Sequence, residues 1–410
     1  MPHAGNDALR VAFIQNVCTP YNSGFYEELA RSEGVDFVFY FGNPGKNREH
    51  MSFTESELSK LDFTFKYRFL PTFVYPGSLQ ESPFHWKRAL NLLPTLLPAI
   101  AKGKHDVVIT EGAGFILNLI PLFVFCKLAG KRLIIWDGGN IKDNAPKSTD
   151  SIIKKVAYIF VRFITRHEDA AVVYGEGSKD FQTYLGADSR KIFIAPNTVN
   201  NKLFERIISK RGNEIANLRS RLGLQGKKTI VYVGSLERRK KVDHLLEMFR
   251  RLKGEVPYAA LLIIGDGPDK NYLLKLKAEK RLKDVHFLGK ITYLDMPLYY
   301  DLSDVFCLPS QGGITVVEAM ACGKPIVISD QNNLLLSLPG IVRQGENGFI
   351  VKEGDLDAFV DRFVTLITSD SLTSKMGLKS KEMIKKRFSV DKMIQGFIQA
   401  ISYVMRNHGK

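Results

Sequence analysis

Short runs of β-branched and aromatic residues alternate with longer helical patterns along the chain, and this alternation most constrains the fold. The runs are almost continuously apolar, which is typical of parallel strands that helices cover on both faces. We interpret as strands residues 11–17, 37–41, 107–110, 133–136, 171–174, 192–196, 229–234, 260–265, 285–289, 305–309 and 325–329. The sequence therefore predicts an α/β protein with parallel sheets.

The series of strands and helices occurs twice within 410 residues, a length that suits two or three domains. A polar, basic stretch with few aromatic residues, residues 197–228, separates the two series and is interpreted as a linker. We expect two doubly wound, Rossmann-like domains facing each other across a cleft, at residues 1–200 and 201–388. Residues 389–410 are predicted to form a final helix.

The composition narrows the setting in which the chain works. The net charge of +15 favours anionic partners such as nucleotides, nucleic acid or a membrane surface. The four cysteines have no paired spacing, so we expect neither a zinc site nor disulfides, and a cytosolic setting fits. The longest apolar segment, residues 114–130, falls short of the ~20 residues of a spanning helix and is interpreted as a buried helix.

Ligands of doubly wound sheets bind outside the carboxyl ends of the strands, so the loops that follow the strands are where chemistry is expected. The loop after residue 234 contains four consecutive basic residues, Arg238, Arg239, Lys240 and Lys241, just before a predicted helix near Val242. This position suits a phosphate group. A solvated run of charges is the alternative interpretation.

Two later loops contain glycines at strand ends. Gly265 and Gly267 predict a tight turn. Gly312 and Gly313 lie between a strand and a helix, where backbone N–H groups can approach an anion, although a structural glycine pair is the alternative. Glu318 follows on that helix, and a carboxylate there can accept the hydroxyl hydrogens of a vicinal diol such as ribose.

These loops, in this order, resemble the C-terminal domain of retaining GT-B glycosyltransferases of family 4, the glycosyl transferases group 1 type. The resemblance covers residues 172–388 well and the first half only loosely. It is carried by "APNTVNNKLF", "VGSLERRKKVDHLL", "LLIIGDGPDKNYL", "VHFLGKITYLDMPLYYDLSDVFCLPS" and "EAMACGKPIV". It implies a GT-B fold whose final helix crosses back to the first domain. It also implies sugar transfer from a nucleotide-sugar with retained anomeric configuration and without a metal or cofactor.

The resemblance also implies donor-binding roles for residues at matching positions. Lys240 matches a lysine that contacts the donor diphosphate, Glu318 matches the acid that holds the ribose, and Lys290 with Ile291 falls where the family reads the base. The donor-binding residues assigned in this way are Ser235, Arg239, Lys240, Lys290, Ile291, Ser310, Gln311, Gly312, Gly313, Ile314, Thr315 and Glu318.

Two positions depart from the family pattern. The family usually has an acid eight residues before the ribose acid, where it contacts the hydroxyls of the donor sugar, and this chain has Ser310 there, next to Gln311. The arginine of the family's "GR" pair is Ser235, which leaves Arg238 or Arg239 as substitutes. The loss of the acid puts the donor preference and the level of activity in question.

The first half contains fewer candidates. The loop after the first strand is predicted to approach the donor phosphate or the acceptor through Tyr21, Asn22, Ser23 and Gly24. Glu111 stands where the family has a histidine and is the candidate catalytic residue, as base or orienter of the acceptor, although capping of the next helix is an equal alternative. Trp136 and Asp137 end another strand and suit sugar stacking, or a core tryptophan.

Two segments combine basic with apolar and aromatic residues. Residues 151–169 are predicted to form one helix with the basic residues Lys154, Lys155, Arg162 and Arg166, and residues 84–105 a similar one. Such patterns suit a helix at an anionic interface, or one that packs on the sheet and exposes a charged edge. A cytoplasmic enzyme, peripheral on the inner face of the plasma membrane, with a lipid-linked glycan acceptor is the resulting expectation.

The expected function is therefore transfer of a sugar from a UDP- or GDP-sugar to a glycan, in cell-surface polysaccharide or glycoconjugate synthesis. A GT-B relative with changed function, such as a sugar-nucleotide epimerase or a non-catalytic partner, is the alternative that Ser310 motivates. A nucleic-acid binder is disfavoured, because it predicts a basic stripe with interleaved aromatics instead of phosphate chemistry at strand ends.

Overall fold

The computed structural model describes residues 8–43, 64–74, 91–112, 115–145, 147 and 152–407. The contacts between Cα atoms divide the chain into two compact units. The first unit comprises Met1–Pro196 together with Val390–Lys410, and the second comprises Asn197–Ser389. These limits lie a few residues from the predicted domain boundaries, and the C-terminal segment is grouped with the first unit.

The first unit is built on a parallel sheet of seven strands. The strands of this unit are β1 Leu9–Gln15, β2 Val35–Gly42, β3 Lys66–Leu70, β4 Phe73–Val74, β5 Asn91–Leu92, β6 Val107–Glu111, β7 Arg132–Asp137, β8 Ala170–Val173 and β9 Ile192–Ile194. The order in the sheet is β3-β2-β1-β6-β7-β8-β9, while β4 and β5 form a separate antiparallel pair.

Helices flank this sheet on both faces. They are α1 Ser23–Ala30, α2 Leu96–Lys102, α3 Ile116–Leu128, α4 Ile141–Asn144, α5 Ile152–His167 and α6 Glu176–Leu185. The C-terminal helix, Val390–Arg406, packs into the same core, where the ring of Phe397 lies 5.4 Å from Phe13 and 5.1 Å from Phe25. Residues Ala12 and Ile14 point to the opposite core, as expected for alternating strand positions.

The second unit is built on a parallel sheet of six strands in the order β12-β11-β10-β13-β14-β15. Its strands are β10 Lys228–Val233, β11 Ala259–Ile264, β12 Val285–Gly289, β13 Val305–Leu308, β14 Ile326–Ser329 and β15 Gly348–Val351. Its helices are α7 Asn201–Lys210, α8 Gly212–Arg221, α9 Val242–Glu255, α10 Lys270–Glu279, α11 Met296–Asp301, α12 Ile314–Ala321, α13 Asn333–Ser337, α14 Leu356–Ile367 and α15 Asp370–Arg387.

Every predicted strand is present, with ends that shift by one or two residues. The sequence interpretation missed β3, the pair β4 and β5, and β15. Strand β3 lies at the edge of its sheet, and its sequence KYRFL places exposed Lys66 and Arg68 between apolar residues. The pattern that predicted the other strands, a continuous apolar run, is therefore absent from this one.

Two interpretations of local structure were wrong. The segment interpreted as a linker, residues 197–228, contains helices α7 and α8, which are polar because they bury little, with Phe204 their one fully enclosed side chain. The described part of residues 84–105 forms the short strand β5 and helix α2 instead of one helix, and residues 84–90 lie outside the described ranges.

The apolar segment at residues 114–130 forms helix α3, which is only partly buried because Leu117, Val124 and Leu128 are exposed. Among the helices of the described residues, none combines the length and the apolar character needed to cross a bilayer. All four cysteines are buried free thiols.

Candidate functional site

The loops that were predicted to bind the donor lie together at one edge of the second unit's sheet. Because the strands are parallel, the residues that follow β10, β11, β13, β14 and β15 all leave the sheet at its carboxyl edge. Helix α12 begins directly after the loop that contains Gly312 and Gly313. The site is thus built from neighbouring strand ends.

The glycines after β11 allow two of these loops to pack closely. Gly265 has φ +137, and a Cβ atom there would lie 1.8 Å from the carbonyl oxygen of Gly234. A Cβ atom on Gly267 would lie 2.4 Å from the oxygen of Leu236, whose N–H donates to the carbonyl of Asp266. The predicted tight turn is therefore a requirement of loop-to-loop backbone packing.

Two of the four consecutive basic residues contact the loop after β13. The Nζ atom of Lys240 donates to the backbone oxygen of Gln311 at 3.0 Å, and Nη1 of Arg239 lies 3.3 Å from the Oε1 atom of the same residue. Arg238 instead covers the ring of Tyr272, at 5.5 Å from its centroid. The basic run is therefore more than a solvated stretch, because it places cationic groups beside Gln311.

Consecutive N–H groups at the start of helix α12 are available to a ligand. Within the described ranges, the backbone N–H groups of Gly312, Gly313, Ile314 and Thr315 have no hydrogen-bond partner. A Cβ atom on Gly312 would meet Leu308 at 2.1 Å, whereas one on Gly313 would have nothing within 4 Å. Packing thus requires only the first glycine, and the second leaves open space in front of N–H groups that suit an anion.

Glu318 lies on the buried side of helix α12. Its Oε2 atom accepts a hydrogen bond of 2.7 Å from the hydroxyl of Tyr300, which also lies 3.4 Å from the oxygen of Thr315. Burial raises the pKa of Glu318 to about 7, while the Tyr300 hydrogen bond acts in the opposite direction. Near neutral pH this carboxyl group is therefore poised between its protonated and ionised forms.

Ser310, which replaces the family's acid, contacts a carboxylate from elsewhere in the chain. Its Oγ atom donates to Oε2 of Glu353 at 3.2 Å, and Ser329 donates to the same oxygen at 3.4 Å. The sequence interpretation missed Glu353. Its signal was weak, because it lies two residues beyond the unpredicted strand β15 and belongs to none of the motifs.

The remaining donor candidates lie further along the same edge. Ser235 accepts the hydroxyl hydrogen of Tyr232 through its backbone oxygen at 2.9 Å. Lys290 and Ile291 follow β12, which β11 and β10 separate from β13 in the sheet. The pKa of Asp266 is lowered, first by the N–H of Gly267 and further by Lys270 and Lys290, which locates Lys290 near the loop after β11.

The first unit has its own row of polar strand ends. The Oε1 atom of Glu111 accepts a hydrogen bond of 3.1 Å from the backbone N–H of Asn16. Helix α3 begins after Phe115, whose own side chain makes no capping hydrogen bond, and capping of this helix by Glu111 stays an alternative prediction. Glu111 thus ties the end of β6 to the loop that follows β1.

The loop candidates after β1 are mostly enclosed. A short 3-10 turn, Pro20–Asn22, leads into helix α1, and the Ser23 hydroxyl donates to the oxygen of Pro20 at 2.7 Å. Asn22, Ser23 and Gly24 are buried, and Tyr21 is partly exposed. Their role towards a phosphate or an acceptor stays a prediction.

Of the two interpretations of Trp136, the core tryptophan is confirmed, because this side chain is only 4% exposed and packs among Phe13, Phe25 and Tyr174. Neighbouring Asp137 accepts hydrogen bonds from the N–H of Gly139 at 2.8 Å and from Gln182 at 3.1 Å. Burial raises its pKa. Across the described residues of both units, no three His, Cys, Asp or Glu side chains converge as a metal site would require.

Comparison with known proteins gives a family match within the second unit. Residues 214–383 match the family model of the glycosyl transferases group 1. The chain is 27% identical over 215 residues to N-acetyl-alpha-D-glucosaminyl L-malate synthase of Bacillus anthracis, covering 51% of this chain and 54% of that protein. It is 30% identical over 164 residues to a phosphatidyl-myo-inositol mannosyltransferase of Mycobacterium leprae, covering 39% and 42%. The chain thus spans about half the length of these curated relatives.

The likeness to solved structures extends over both units. The crystal structure of Anabaena HepE in complex with UDP covers 96% of this chain and 100% of its own, with a TM-score of 0.71 at 15% identity. At this identity the likeness establishes the fold. The predicted α/β fold of GT-B type, with two Rossmann-like units, is confirmed.

Proposed function

We propose, from the match of residues 214–383 to the glycosyl transferases group 1, that the chain transfers a sugar from a nucleotide-sugar donor to a glycan acceptor. The observation that carries the proposal is the arrangement around helix α12. Lys240 reaches Gln311, the unpartnered N–H groups begin at Gly312, and the carboxyl group of Glu318 lies on the same helix. The ammonium group and the backbone N–H groups suit a diphosphate, and the carboxyl group suits a ribose.

The donor diphosphate is assigned to Lys240 and the open N–H groups of Gly312–Thr315. An ammonium group and unpartnered amides both stabilise anionic oxygens, and here they converge on one loop. Ionised Glu318 accepts hydrogen bonds from the ribose hydroxyls. Such hydrogen bonds to a charged carboxylate are stronger than those to a neutral acceptor. A UDP- or GDP-sugar fits this site equally, and the UDP complex of HepE supports UDP as the first donor to test.

The transfer is proposed to retain the anomeric configuration and to need no metal ion. Lys240 and the amide groups offset the charge that develops on the leaving diphosphate. The acceptor oxygen attacks the face that the diphosphate leaves, and a phosphate oxygen of the donor takes the acceptor's proton, so no enzyme nucleophile is required. Glu111 is proposed to orient the acceptor hydroxyl whose proton the donor phosphate takes.

The acceptor is proposed to be a lipid-linked glycan at the cytoplasmic face of the plasma membrane, in cell-surface polysaccharide or glycoconjugate synthesis. Helix α5 exposes five apolar side chains along one face, namely Ile152, Val156, Ile159, Phe160 and Phe163. The largest exposed fractions are 74% for Ile152 and 66% for Ile159. Such a face is unusual for a helix in water and fits the apolar layer below lipid headgroups.

Helix α3 contacts helix α5 and exposes apolar residues of its own. The ring centroids of Phe123 in α3 and Phe163 in α5 lie 6.0 Å apart, and Leu117, Val124 and Leu128 of α3 are exposed. Lys155, Arg162 and Arg166 follow one edge of helix α5, and neither helix contains an acidic residue. The charge favours an anionic membrane as the partner. The name of the mycobacterial relative, a phosphatidyl-myo-inositol mannosyltransferase, supports a lipid acceptor.

The transfer itself is tested by incubating the purified chain with radiolabelled UDP- and GDP-sugars and a lipid extract, in buffer that contains EDTA. We expect label to enter the lipid fraction, and NMR of the product to show the anomeric configuration of the donor. Glu111→Gln is expected to slow transfer by about a hundredfold, because the acceptor hydroxyl loses the charged group that orients it. Inverted product, or activity that EDTA abolishes, would contradict the proposed mechanism.

The same assay addresses the second candidate, which Ser310 favours because the family's acid is missing there. A sugar-nucleotide epimerase would convert the sugar of the free donor without any acceptor. Isomerised UDP-sugar in reactions that lack lipid would therefore assign the chain to that activity instead.

A further inference from the structure

Three neighbouring strands of the second unit end in a cluster of hydrogen-bonding side chains. Ser310 follows β13, Ser329 is the last residue of β14, and Glu353 follows β15. The Oε2 atom of Glu353 accepts both serine hydroxyls, at 3.2 Å from Ser310 and 3.4 Å from Ser329. Ser310 and Ser329 are buried, and Glu353 is partly exposed. The carboxylate therefore faces the loop after β13.

The backbone fixes the position of this carboxylate. The N–H of Glu353 donates to Oδ1 of Asp330 at 2.9 Å, and the N–H of Asp330 donates to the oxygen of Val351 at 2.8 Å. Ser329 accepts the N–H of Gln331 at 3.0 Å, so that its hydroxyl is oriented towards the cluster. The acid is thus held at the edge of the sheet before any ligand arrives.

Part of the hydrogen-bonding capacity of Glu353 is unused. Among the described residues, none donates a hydrogen bond to its Oε1 atom, and none forms an ion pair with it. An ionised carboxylate accepts about four hydrogen bonds and donates none. The side chain is therefore able to accept further hydrogen bonds from a ligand that carries hydroxyl groups.

The surroundings of the cluster indicate which part of a ligand it meets. Ser310, which contacts Glu353, directly precedes Gln311, whose backbone oxygen is the partner of Lys240. The cation of Lys240 and the anion of Glu353 therefore contact adjacent residues, Gln311 and Ser310, of the loop after β13. A carboxylate repels phosphate but accepts hydroxyl hydrogens, so a ligand with its diphosphate at Lys240 brings a neighbouring hydroxyl-bearing group to the carboxylate.

We propose that Glu353 binds hydroxyl groups of the sugar that the donor transfers, a role that rests on the donor site proposed above. The chain carries this acid on β15, at hydrogen-bond distance from the residue where the resemblance places an acid, Ser310. Ser310 and Ser329 are positioning residues that orient the carboxylate. The donor sugar is thus recognised by a charged acceptor despite the serine.

The test compares the affinity for a nucleotide-sugar with that for its free nucleotide, by titration calorimetry without acceptor. UDP with UDP-glucose and GDP with GDP-mannose are the probes. Glu353→Gln keeps the shape of the side chain and removes its charge. Glu255→Gln, at an exposed acid that ends helix α9, is the matched control for the loss of one negative charge. Glu353→Ala serves as a second variant.

We expect Glu353→Gln and Glu353→Ala to lower the ratio of nucleotide-sugar affinity to nucleotide affinity about tenfold, since hydrogen bonds to a charged group are lost. The affinity for the free nucleotide stays as in the wild type, and Glu255→Gln leaves the ratio unchanged. If the Glu353 variants leave the ratio unchanged, or weaken the free nucleotide and the nucleotide-sugar equally, Glu353 only braces the loops and the proposal is wrong. If the wild type binds no nucleotide at all, the donor site fails and the role of Glu353 fails with it.

Discussion

Glu318 is the residue whose chemistry depends most on its surroundings. Burial raises its pKa from the ordinary 4.5 to about 7, so the folded chain binds this proton more tightly than the unfolded chain does. The stabilisation is fully present below pH 4.5 and is lost as the pH rises through about 7. At pH 8 an ionised Glu318 thus destabilises the empty site, a cost that a bound ribose would offset.

We predict that Glu318→Gln stabilises the ligand-free chain at pH 8 and leaves its stability unchanged at pH 4, below the ordinary pKa of 4.5. Glutamine is neutral and still accepts the hydrogen bond from Tyr300, so the variant avoids a buried charge that costs on the order of a few kcal/mol. The same variant is expected to bind nucleotides about tenfold more weakly at pH 8. Urea unfolding and calorimetry at both pH values measure the two effects. Equal stability of both proteins at pH 8 would contradict the raised pKa.

Single residues show which placements the sequence indicates and which it does not. Lys240 and Glu318 were assigned from motifs whose members are close in sequence, and the structure brings both to the edge that holds Gly312. The contact of Glu353 with Ser310 could not be predicted from the sequence, because it depends on the pairing of β14 with β15. A tryptophan at a strand end has the same local sequence pattern whether it lies in a core or in a sugar site. Only the packing of Trp136 in the structure therefore distinguishes the two roles.

At the scale of elements, continuous apolar runs predicted the buried parallel strands, and the interpretation was wrong where burial is one-sided. Helices α7 and α8 have polar sequences because few of their side chains are enclosed, and they were interpreted as a linker. Helix α5 shows the opposite case. Its sequence left open whether the apolar residues pack on the sheet, and the structure leaves five of them exposed.

We predict that the apolar face of helix α5 binds the chain to anionic vesicles. The double variant Ile159→Asp with Phe163→Asp replaces two exposed apolar residues and is expected to lower the affinity for phosphatidylglycerol vesicles more than tenfold. Vesicle co-sedimentation measures the effect, and phosphatidylcholine vesicles are expected to bind weakly. The substitution Leu378→Asp, at another exposed apolar residue, is the control.

Two outcomes would argue against a membrane at this face. Unchanged binding of the double variant would place the contact elsewhere. A wild-type chain that ignores vesicles but forms a dimer in analytical ultracentrifugation, which the double variant dissociates, would assign the face to a second copy of the chain.

At the scale of the whole molecule, the alternation of strands and helices predicted two parallel sheets, and both are present. The alternation alone does not specify a function, since many activities share such sheets. The motifs of the second half indicate a family, and its model matches residues 214–383. This match lies within the second unit, so the proposed role of Glu111 rests on its position at the end of β6, and the proposed acceptor on the exposed face of helix α5.

We propose above all that the carboxyl edge of the second sheet binds a nucleoside diphosphate through Lys240. The most direct measurement is a thermal-shift comparison of UDP, GDP and ADP with the wild type, Lys240→Ala and Lys275→Ala. Lys275 is an exposed lysine of helix α10 and controls for the lost charge. Because a ligand stabilises the state it binds, one nucleotide should raise the Tm of the wild type and of Lys275→Ala but not that of Lys240→Ala. No shift with any nucleotide, or an equal shift in Lys240→Ala, would contradict the account.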